Sequence, residues 1–289
     1  MANLRDIRRR IKSVKNTAQI TKAMQMVAAS KMRKAQQAAL AGRDYAQLLN
    51  RVIVSVRDAI EQESHPLLER RSGSGKELVI LMTTDKGLCG ALNTNVLREA
   101  AAYDPAKTLF VSIGRKGTQF LARLKRQMIA DFPLQERPTF PQCKQVSKFC
   151  IEKFLDRTVD KVTLLYPRFI NTLTQTPTAY PILPITSLDE VGIKTDYEAL
   201  PPIEGGLEFE PSPEAVLEAI LPAYIHYLVY QTQLGSRASE HSARMVAMKN
   251  ATDNAKNLVK DLTLEYNKAR QAGITNEILE IATAQLALG

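Results

Sequence analysis

Both ends of the chain carry apolar or small residues spaced alternately by three and four positions. Near the N-terminus the pattern holds from Leu4 to Ile60, and only Thr21 and Gln25 in it are polar. Its positions are Leu4, Ile7, Ile11, Val14, Ala18, Thr21, Gln25, Ala28, Met32, Ala35, Ala39, Gly42, Ala46, Leu49, Ile53, Val56 and Ile60. Near the C-terminus it recurs at Met248, Thr252, Ala255, Val259, Leu262, Tyr266, Ala269 and Gly273. An apolar repeat of about 3.5 residues over such lengths predicts a left-handed coiled coil.

The distribution of proline supports helical ends. All 14 prolines lie between Pro66 and Pro222, so residues 1–65 and 223–289 contain none. A proline inside a helix costs about 3 kcal/mol, and long proline-free flanks therefore favour long helices. Each flank could be one helix of an ordinary bundle, but the middle of the chain is too interrupted to supply further long helices. The simplest architecture is an antiparallel two-helix coiled coil formed by the two ends.

Strand and helix patterns alternate in the middle of the chain. Apolar runs predict strands at 77–84, 107–113 and 161–169, and an edge segment at 177–186 that contains Pro181 and Pro184. Helices are expected from near Leu88 to 103, over 114–125 and over 145–158. This alternation predicts a mostly parallel, Rossmann-like sheet. The predicted fold class is therefore α/β, with a coiled-coil helix at 1–65, a Rossmann-like domain at 76–190 and a second coiled-coil helix at 210–289.

A glycine turn, DKGLCGALN (85–93), follows the first predicted strand, where α/β proteins often bind phosphate. Its GLCG lacks the GxGxxG spacing of a dinucleotide site, and SGSGK (72–76) precedes the strand rather than following it. We therefore expect Gly87, with φ > 0, and Gly90 to make a tight, closely packed turn together with Cys89 and Asn93. Cys89 is interpreted as a buried small residue, with a reactive thiol as the alternative.

The composition excludes several classes of protein. The three cysteines are widely spaced without a CxxC pair, and the three histidines are far apart in sequence, so no metal site is predicted. No catalytic motif is present. We therefore expect that the protein has no cofactor and is not an enzyme. No apolar run has the length of a membrane span. The net charge of +9 favours an acidic partner. A nucleic-acid-binding coiled coil is the alternative, although acidic residues interleave with the basic ones at Asp6, Asp44, Asp58 and Glu61.

Five strings resemble the gamma-subunit family of F-type ATP synthases: ITKAMQMVAASKMRKA (20–35), TTDKGLCGALN (83–93), FINTLTQ (169–175), SEHSARMVAMKNATDNAKNL (239–258) and YNKARQAGITNEILEI (266–281). They follow the family order over the whole chain. The resemblance implies a central shaft inside a ring of three alpha and three beta subunits, with a foot that contacts the epsilon subunit and the c ring. It implies a non-catalytic role in coupling proton-driven rotation to ATP synthesis or hydrolysis, at the cytoplasmic face of the bacterial inner membrane, with membrane association only through the complex.

The resemblance also implies roles for individual residues. Met24 and Arg244 are expected near the lever loops of the beta subunits, and Arg270 and Gln271 are expected to hydrogen-bond a catch loop of one beta subunit. Thr275, Glu277 and Glu280 belong to the same coupling region. Packing in the coil is the alternative for Met24, and a solvated charge is the alternative for Arg270. The chain departs from the family pattern at Gly273 and at Arg237, which stands where an apolar residue is usual.

Overall fold

The computed structural model describes residues 4–42, 44–45, 48–49, 52–53, 65–69, 71, 73, 75–185 and 209–288. Contacts divide the chain into two compact units, one formed by Met1–Ala29 with Arg244–Gly289 and the other by Ser30–Ala243. Helix α1 spans Leu4–Ala41 and helix α5 spans Pro213–Leu288, so each has a part in both units. The parts of the predicted N-terminal helix at 54–64 and of the middle domain at 186–190 lie outside the described residues.

The first unit is a pair of helical segments that bury the predicted repeat. On α1, Ile7, Thr21 and Ala28 are buried. On α5, the buried or half-buried residues between 248 and 280 are Met248, Ala251, Thr252, Ala255, Val259, Leu262, Tyr266, Ala269 and Gly273, and all but Ala251 were predicted. The register of the seam (the line of buried contact between the two helices) is therefore confirmed.

The second unit contains the continuation of the same two helices and shows their direction. Gln231 Nε2 donates a hydrogen bond to the carbonyl of Ala39, and the Tyr227 hydroxyl donates to the carbonyl of Gly42. As α1 advances from 39 to 42, its partner on α5 recedes from 231 to 227, so the two helices run antiparallel. The predicted antiparallel pairing of the chain's ends is confirmed.

A five-stranded sheet with the order β3-β2-β1-β4-β5 lies in the second unit. Its strands are β1 (Glu77–Met82), β2 (Thr108–Ile113), β3 (Met128–Phe132), β4 (Lys161–Phe169) and β5 (Gln175–Leu183). β1 pairs in parallel with both β2 and β4, β2 pairs in parallel with β3, and β5 runs antiparallel to β4. The predicted insertion of a mostly parallel sheet between the terminal helices is confirmed, and the proline-bearing segment is an edge strand.

Helices cover both faces of this sheet: α2 (Leu92–Ala102), α3 (Arg115–Arg123) and α4 (Phe140–Leu155). Successive side chains of a strand point to opposite faces. Val79 and Leu81 therefore pack against α2 and α3 in one cluster, while Ile80 belongs to a larger cluster with α4 and α5. Since both of its faces are buried, β1 has the continuous apolar sequence ELVILM instead of an alternating one.

Several predicted boundaries differ from the observed ones. α2 begins at Leu92 rather than near Leu88, because the intervening residues form the turn. α4 begins at Phe140 rather than at 145, since Thr139 and Gln142 form a capping box at its start. β3 was not predicted; it is a short edge strand whose alternation of exposed and half-buried residues is a weak signal.

Pro222 does not mark a helix boundary. α5 begins at Pro213, close to the predicted limit of 210, and passes through Pro222 without ending. Proline removes one backbone donor of the helix and interrupts its hydrogen bonding locally. Leu221 and Ile225 on either side are both fully buried in the large cluster, and their packing holds the helix together across the interruption. Within the described residues, no helix has both the length and the apolar character needed to cross a membrane.

Candidate functional site

The residues singled out near the C-terminus lie off the seam. Arg270, Gln271, Thr275, Glu277 and Glu280 are all exposed, in contrast to the half-buried seam residues that precede and interleave with them. The Thr275 hydroxyl donates to the carbonyl of Gln271 at 3.0 Å, so it is satisfied within its own helix. The side chains of Arg270, Gln271, Glu277 and Glu280 instead point away from the seam, where they are accessible to a partner.

Met24 and Arg244 both belong to the first unit and both are half-buried. Met24 adjoins the seam residue Gln25 on α1, so its side chain packs beside the seam while part of its surface is exposed. This position is compatible with packing in the coil and with contact to a partner.

Large apolar side chains are also exposed along these helices, a feature that sequence reasoning missed. On α5, Ile274, Ile278, Leu279 and Ile281 are 48%, 60%, 56% and 63% exposed. On α1, Ile20, Met26 and Val27 are 60%, 59% and 55% exposed. The pattern of threes and fours assigned apolar residues to the seam and left these ones unexplained. Apolar side chains grouped on a surface mark an interaction site, so both faces are suited to a protein partner.

The turn after β1 fastens the sheet to the long C-terminal helix. Cys89 and Leu92 are buried with Ala243 of α5 in a small apolar cluster. The Asn93 side chain accepts from the backbone N–H of Thr84 at 3.2 Å and donates to the Thr84 hydroxyl at 2.7 Å, which closes the turn. Asn93 Nδ2 also lies 3.3 Å from Cys89 Sγ. Cys89 and Leu92 thus hold the turn against α5, and Asn93 fixes the shape of the turn.

The glycines of the turn differ from expectation in two respects. Gly87 does not have a positive φ; the left-handed residues are Leu88, with φ 62°, and Gly90, with φ 59°. A Cβ on Gly87 or Gly90 would meet nothing within 4 Å, so neither glycine allows a close approach. Gly90 supplies a conformation that other residues resist, whereas Leu88 bears the same strain with its side chain 61% exposed.

The backbone donors that a phosphate would use at this edge of the sheet are already paired. At the start of α3, the N–H of Arg115 donates to Asp85 at 3.0 Å and that of Lys116 to the carbonyl of Thr84 at 3.1 Å. The N–H of Gly117 donates to the Thr83 hydroxyl at 2.7 Å. Because anion sites at helix starts depend on unpaired N–H groups, this helix start has no vacant donor among these three residues for a phosphate.

Several buried polar side chains in the core of the second unit are paired with each other. The Ser147 hydroxyl and His226 Nδ1 lie 2.7 Å apart, and burial together with Lys144 and Lys148 lowers the pKa of His226. Cys143 Sγ lies 3.0 Å from Gln233 Oε1, and burial raises the pKa of its thiol to about 12. Cys89, Cys143 and Cys150 are all buried, and no set of potential metal ligands occurs in the described part of the chain.

The family model described as ATP synthase matches residues 3–288. An ATP synthase gamma chain from Methylacidiphilum infernorum is 52% identical over 296 residues and covers 100% of both chains. Another, from Opitutus terrae, is 51% identical over 294 residues and covers 99% of both. A third, from Akkermansia muciniphila, is 45% identical over 291 residues, with 100% of both chains covered.

Solved structures show the same fold. A chain of the Tetrahymena thermophila mitochondrial ATP synthase, from its central stalk and c ring, has a TM-score of 0.60 at 28% identity, covering 80% of this chain and 99% of that one. A chain of the Euglena gracilis mitochondrial ATP synthase has a TM-score of 0.68 at 20% identity, covering 99% of this chain and 94% of that one.

An antiparallel pair of terminal helices with an α/β sheet inserted between them in sequence, and with apolar and charged side chains exposed off the seam, defines a class of protein suited to acting through contacts with partners. The match over nearly the whole chain places it in the ATP synthase gamma chain family. It is thus the rotor subunit of the central stalk of an F-type ATP synthase.

Proposed function

We propose that this chain turns inside a ring of three alpha and three beta subunits and transmits the rotation of a c ring to their catalytic sites. The observation that carries this proposal is the outer surface of the first unit. Nine large apolar side chains among the described residues of this unit are exposed, together with the charged group around Arg270, while the seam residues are buried or half-buried. A surface of this kind is suited to contacts with several partners that form and break in turn.

Arg270 and Gln271 are the residues that we propose to engage one beta subunit through hydrogen bonds. A guanidinium group donates in a planar fork that fits a carboxylate, and the neighbouring amide both donates and accepts. Thr275, Glu277 and Glu280 continue the same exposed face, and Met24 with Arg244 provides a second contact to the beta subunits. Exposed ion pairs contribute only about 0–1 kcal/mol each, so such contacts can break as the shaft turns.

The α/β domain at 76–190, which lies in the second unit, is proposed as the foot, in contact with an epsilon subunit and the c ring. The turn Gly87–Cys89–Gly90–Asn93 supports this role structurally, because its cluster with Ala243 fixes the sheet to α5 and so transmits torque between them. In this proposal the shaft consists of residues 1–65 and 210–289, and the foot consists of residues 76–190. The protein would lie at the cytoplasmic face of the bacterial inner membrane and associate with it only through the complex.

Reconstitution tests the proposal. The full-length chain is mixed with the matching alpha and beta subunits, and assembly and ATP hydrolysis are measured with and without it. We expect a complex with one copy of this chain per three alpha–beta pairs, no hydrolysis by the chain alone, and rotation of a bead attached to the second unit. Failure to assemble with alpha and beta, or hydrolysis without rotation, would contradict the proposed role.

A further inference from the structure

A basic cavity of about 450 Å³ lies within the second unit, between α1, the segment after β3 and α5. Tyr230, Leu234, Arg237 and His241 line it from α5 at spacings that place them on one face of the helix. Lys31 and Lys34 line it from α1, and Glu136 and Arg137 from the segment between β3 and α4. The rotary role explains none of these residues.

Among the arginines and lysines that line the cavity, Arg237 is the buried one. Its side chain is only 10% exposed, and its guanidinium Nη1 forms an ion pair with Glu240 Oε2, one helical turn later, at 2.5 Å. Within the described residues, no acceptor lies within hydrogen-bond distance of its buried Nε. A buried charged donor that has no acceptor destabilises the folded chain, so an acceptor supplied by a ligand in the cavity would be stabilising.

The charges around the cavity do not balance without an anion. Four permanent cations line it, at Lys31, Lys34, Arg137 and Arg237, against one carboxylate, that of Glu136. Glu136 forms an ion pair with Lys31, which lowers the pKa of this carboxyl. After the Lys31–Glu136 and Arg237–Glu240 pairs are counted, the charges of Lys34 and Arg137 remain, so the lining of the cavity has a net positive charge that attracts a multiply charged anion.

We propose that this cavity binds a small anion that carries two phosphate groups. Arginine and lysine together are the side chains that proteins use for phosphate, arginine through its planar fork and lysine as a point charge. The volume lies within the range of about 300–1,000 Å³ that is common for small-molecule sites and exceeds what a single phosphate needs. Arg237 Nε donates to one phosphate, and Lys34 and Arg137 at the rim hold the other.

Binding is measured by calorimetry on the full-length chain with inorganic pyrophosphate as the probe, and with ADP in a second series. We expect saturable binding of one pyrophosphate per chain that weakens as salt is raised. If ADP binds with the same affinity as pyrophosphate, the site recognises only the phosphate groups. If ADP binds more tightly than pyrophosphate, the nucleoside also contributes to binding. Both results support the site, whereas absence of saturable binding of either ligand overturns it.

Two neighbouring residues of α1 provide a matched pair of variants. Lys34 lines the cavity, whereas Arg33 is exposed on the same helix and does not. We expect Lys34→Gln to weaken pyrophosphate binding at least about threefold and Arg33→Gln to leave it unchanged. Equal effects of the two would show a diffuse basic surface and would overturn the proposal.

Arg237→Leu removes the buried donor and should weaken binding about tenfold, the expected effect of losing one charge-assisted hydrogen bond. Circular dichroism first establishes that this variant is folded. If it is not, the Lys34→Gln and Arg33→Gln pair decides the question. A folded Arg237→Leu variant that binds pyrophosphate as tightly as the unchanged chain contradicts the role of Arg237.

Discussion

Thr21 of α1 and Thr252 of α5 share a buried hydrogen bond of 2.7 Å across the seam of the first unit. The Thr252 hydroxyl lies 2.8 Å from the carbonyl of Met248 on its own helix, and that of Thr21 lies 3.2 Å from the carbonyl of Ala18. Either of the two threonine hydroxyls can donate to the other across the seam. A polar pair at matching positions fixes the register of a seam that is otherwise lined by small and apolar residues.

A double-mutant cycle measures this pair. We expect Thr21→Val and Thr252→Val each to lower the free energy of unfolding by about 0.5–1.5 kcal/mol, and the double variant to cost less than the sum of the two. The measurement is denaturant unfolding of the full-length chain. Thr263→Val is the control, because Thr263 is exposed and bonds only within its own helix at 2.6 Å. Strict additivity would show that the two hydroxyls are not coupled.

Replacing Arg270 and Gln271 together by Ala should reduce ATP turnover and torque in the assembled complex while leaving assembly intact. Both side chains are exposed and off the seam, so their removal does not disturb the helix pair. Asn267→Ala with Lys268→Ala is the matched control, since it removes an amide and a positive charge from the adjacent exposed positions. Wild-type turnover in the Arg270/Gln271 variant would contradict the proposed contact with a beta subunit.

Gly114→Ala should destabilise the second unit by about 3 kcal/mol or more. Gly114 has φ 100°, and a Cβ added there would lie 2.8 Å from the carbonyl carbon of Thr83 and overlap its oxygen. Gly235→Ala should instead raise the free energy of unfolding, by up to about 1 kcal/mol. Gly235 is helical, and a Cβ there meets nothing within 4 Å. Thermal unfolding of both variants checks the pair. Equal midpoints would show that the strain at Gly114 is absent.

Gly273→Ala should strengthen α5 near the residues proposed to contact the beta subunits. Gly273 is helical and a Cβ there meets nothing within 4 Å, so the substitution gains about 0.5–1 kcal/mol of helix propensity without a clash. Hydrogen exchange of amides in this stretch is expected to slow. Ala272→Gly, at the neighbouring exposed position, is expected to speed it. Unchanged exchange in both variants would mean that propensity does not limit the order of this stretch.

Stability should fall as the pH drops from about 7 to about 5.5. Burial lowers the pKa of both His226 and His65 in the folded chain, with Lys144 and Lys148 contributing at His226. The unfolded chain therefore binds more protons in this range, and stability is lost as the pH falls through the unfolded value of about 6.5. His226→Gln should reduce the slope of melting temperature against pH and leave the part due to His65. An unchanged slope would exclude His226 as a contributor.

Much of the fold could be predicted because it depends on local spacing. The seam of α5 was read correctly from Met248 to Gly273, since the positions of a helix that face a partner are set by the helical repeat itself. Strand β4 was predicted with its observed limits, because a continuous apolar run bounded by polar residues is the pattern of a strand buried on both faces.

Edge strands, and contacts between residues remote in sequence, could not be predicted from local spacing. β3 is half exposed and only five residues long, so its apolar signal was too weak to stand out. The turn at Gly87–Asn93 was recognised as a turn, but its purpose depends on Ala243, which is remote in sequence. The exposed isoleucines of α5 look identical in sequence to buried ones, and only the packed structure shows that no part of the described chain covers them.

The sequence by itself determined which positions of the terminal helices meet and which strands are buried, because both follow from periodicities of the backbone. Tertiary structure alone decided the surroundings of Arg237. Its burial, its pairing with Glu240 and its place in a basic cavity with Lys31 and Glu136 depend on three separate segments converging in space. The energy of a buried charge is set by the groups around it, and those groups are brought together only when the chain folds.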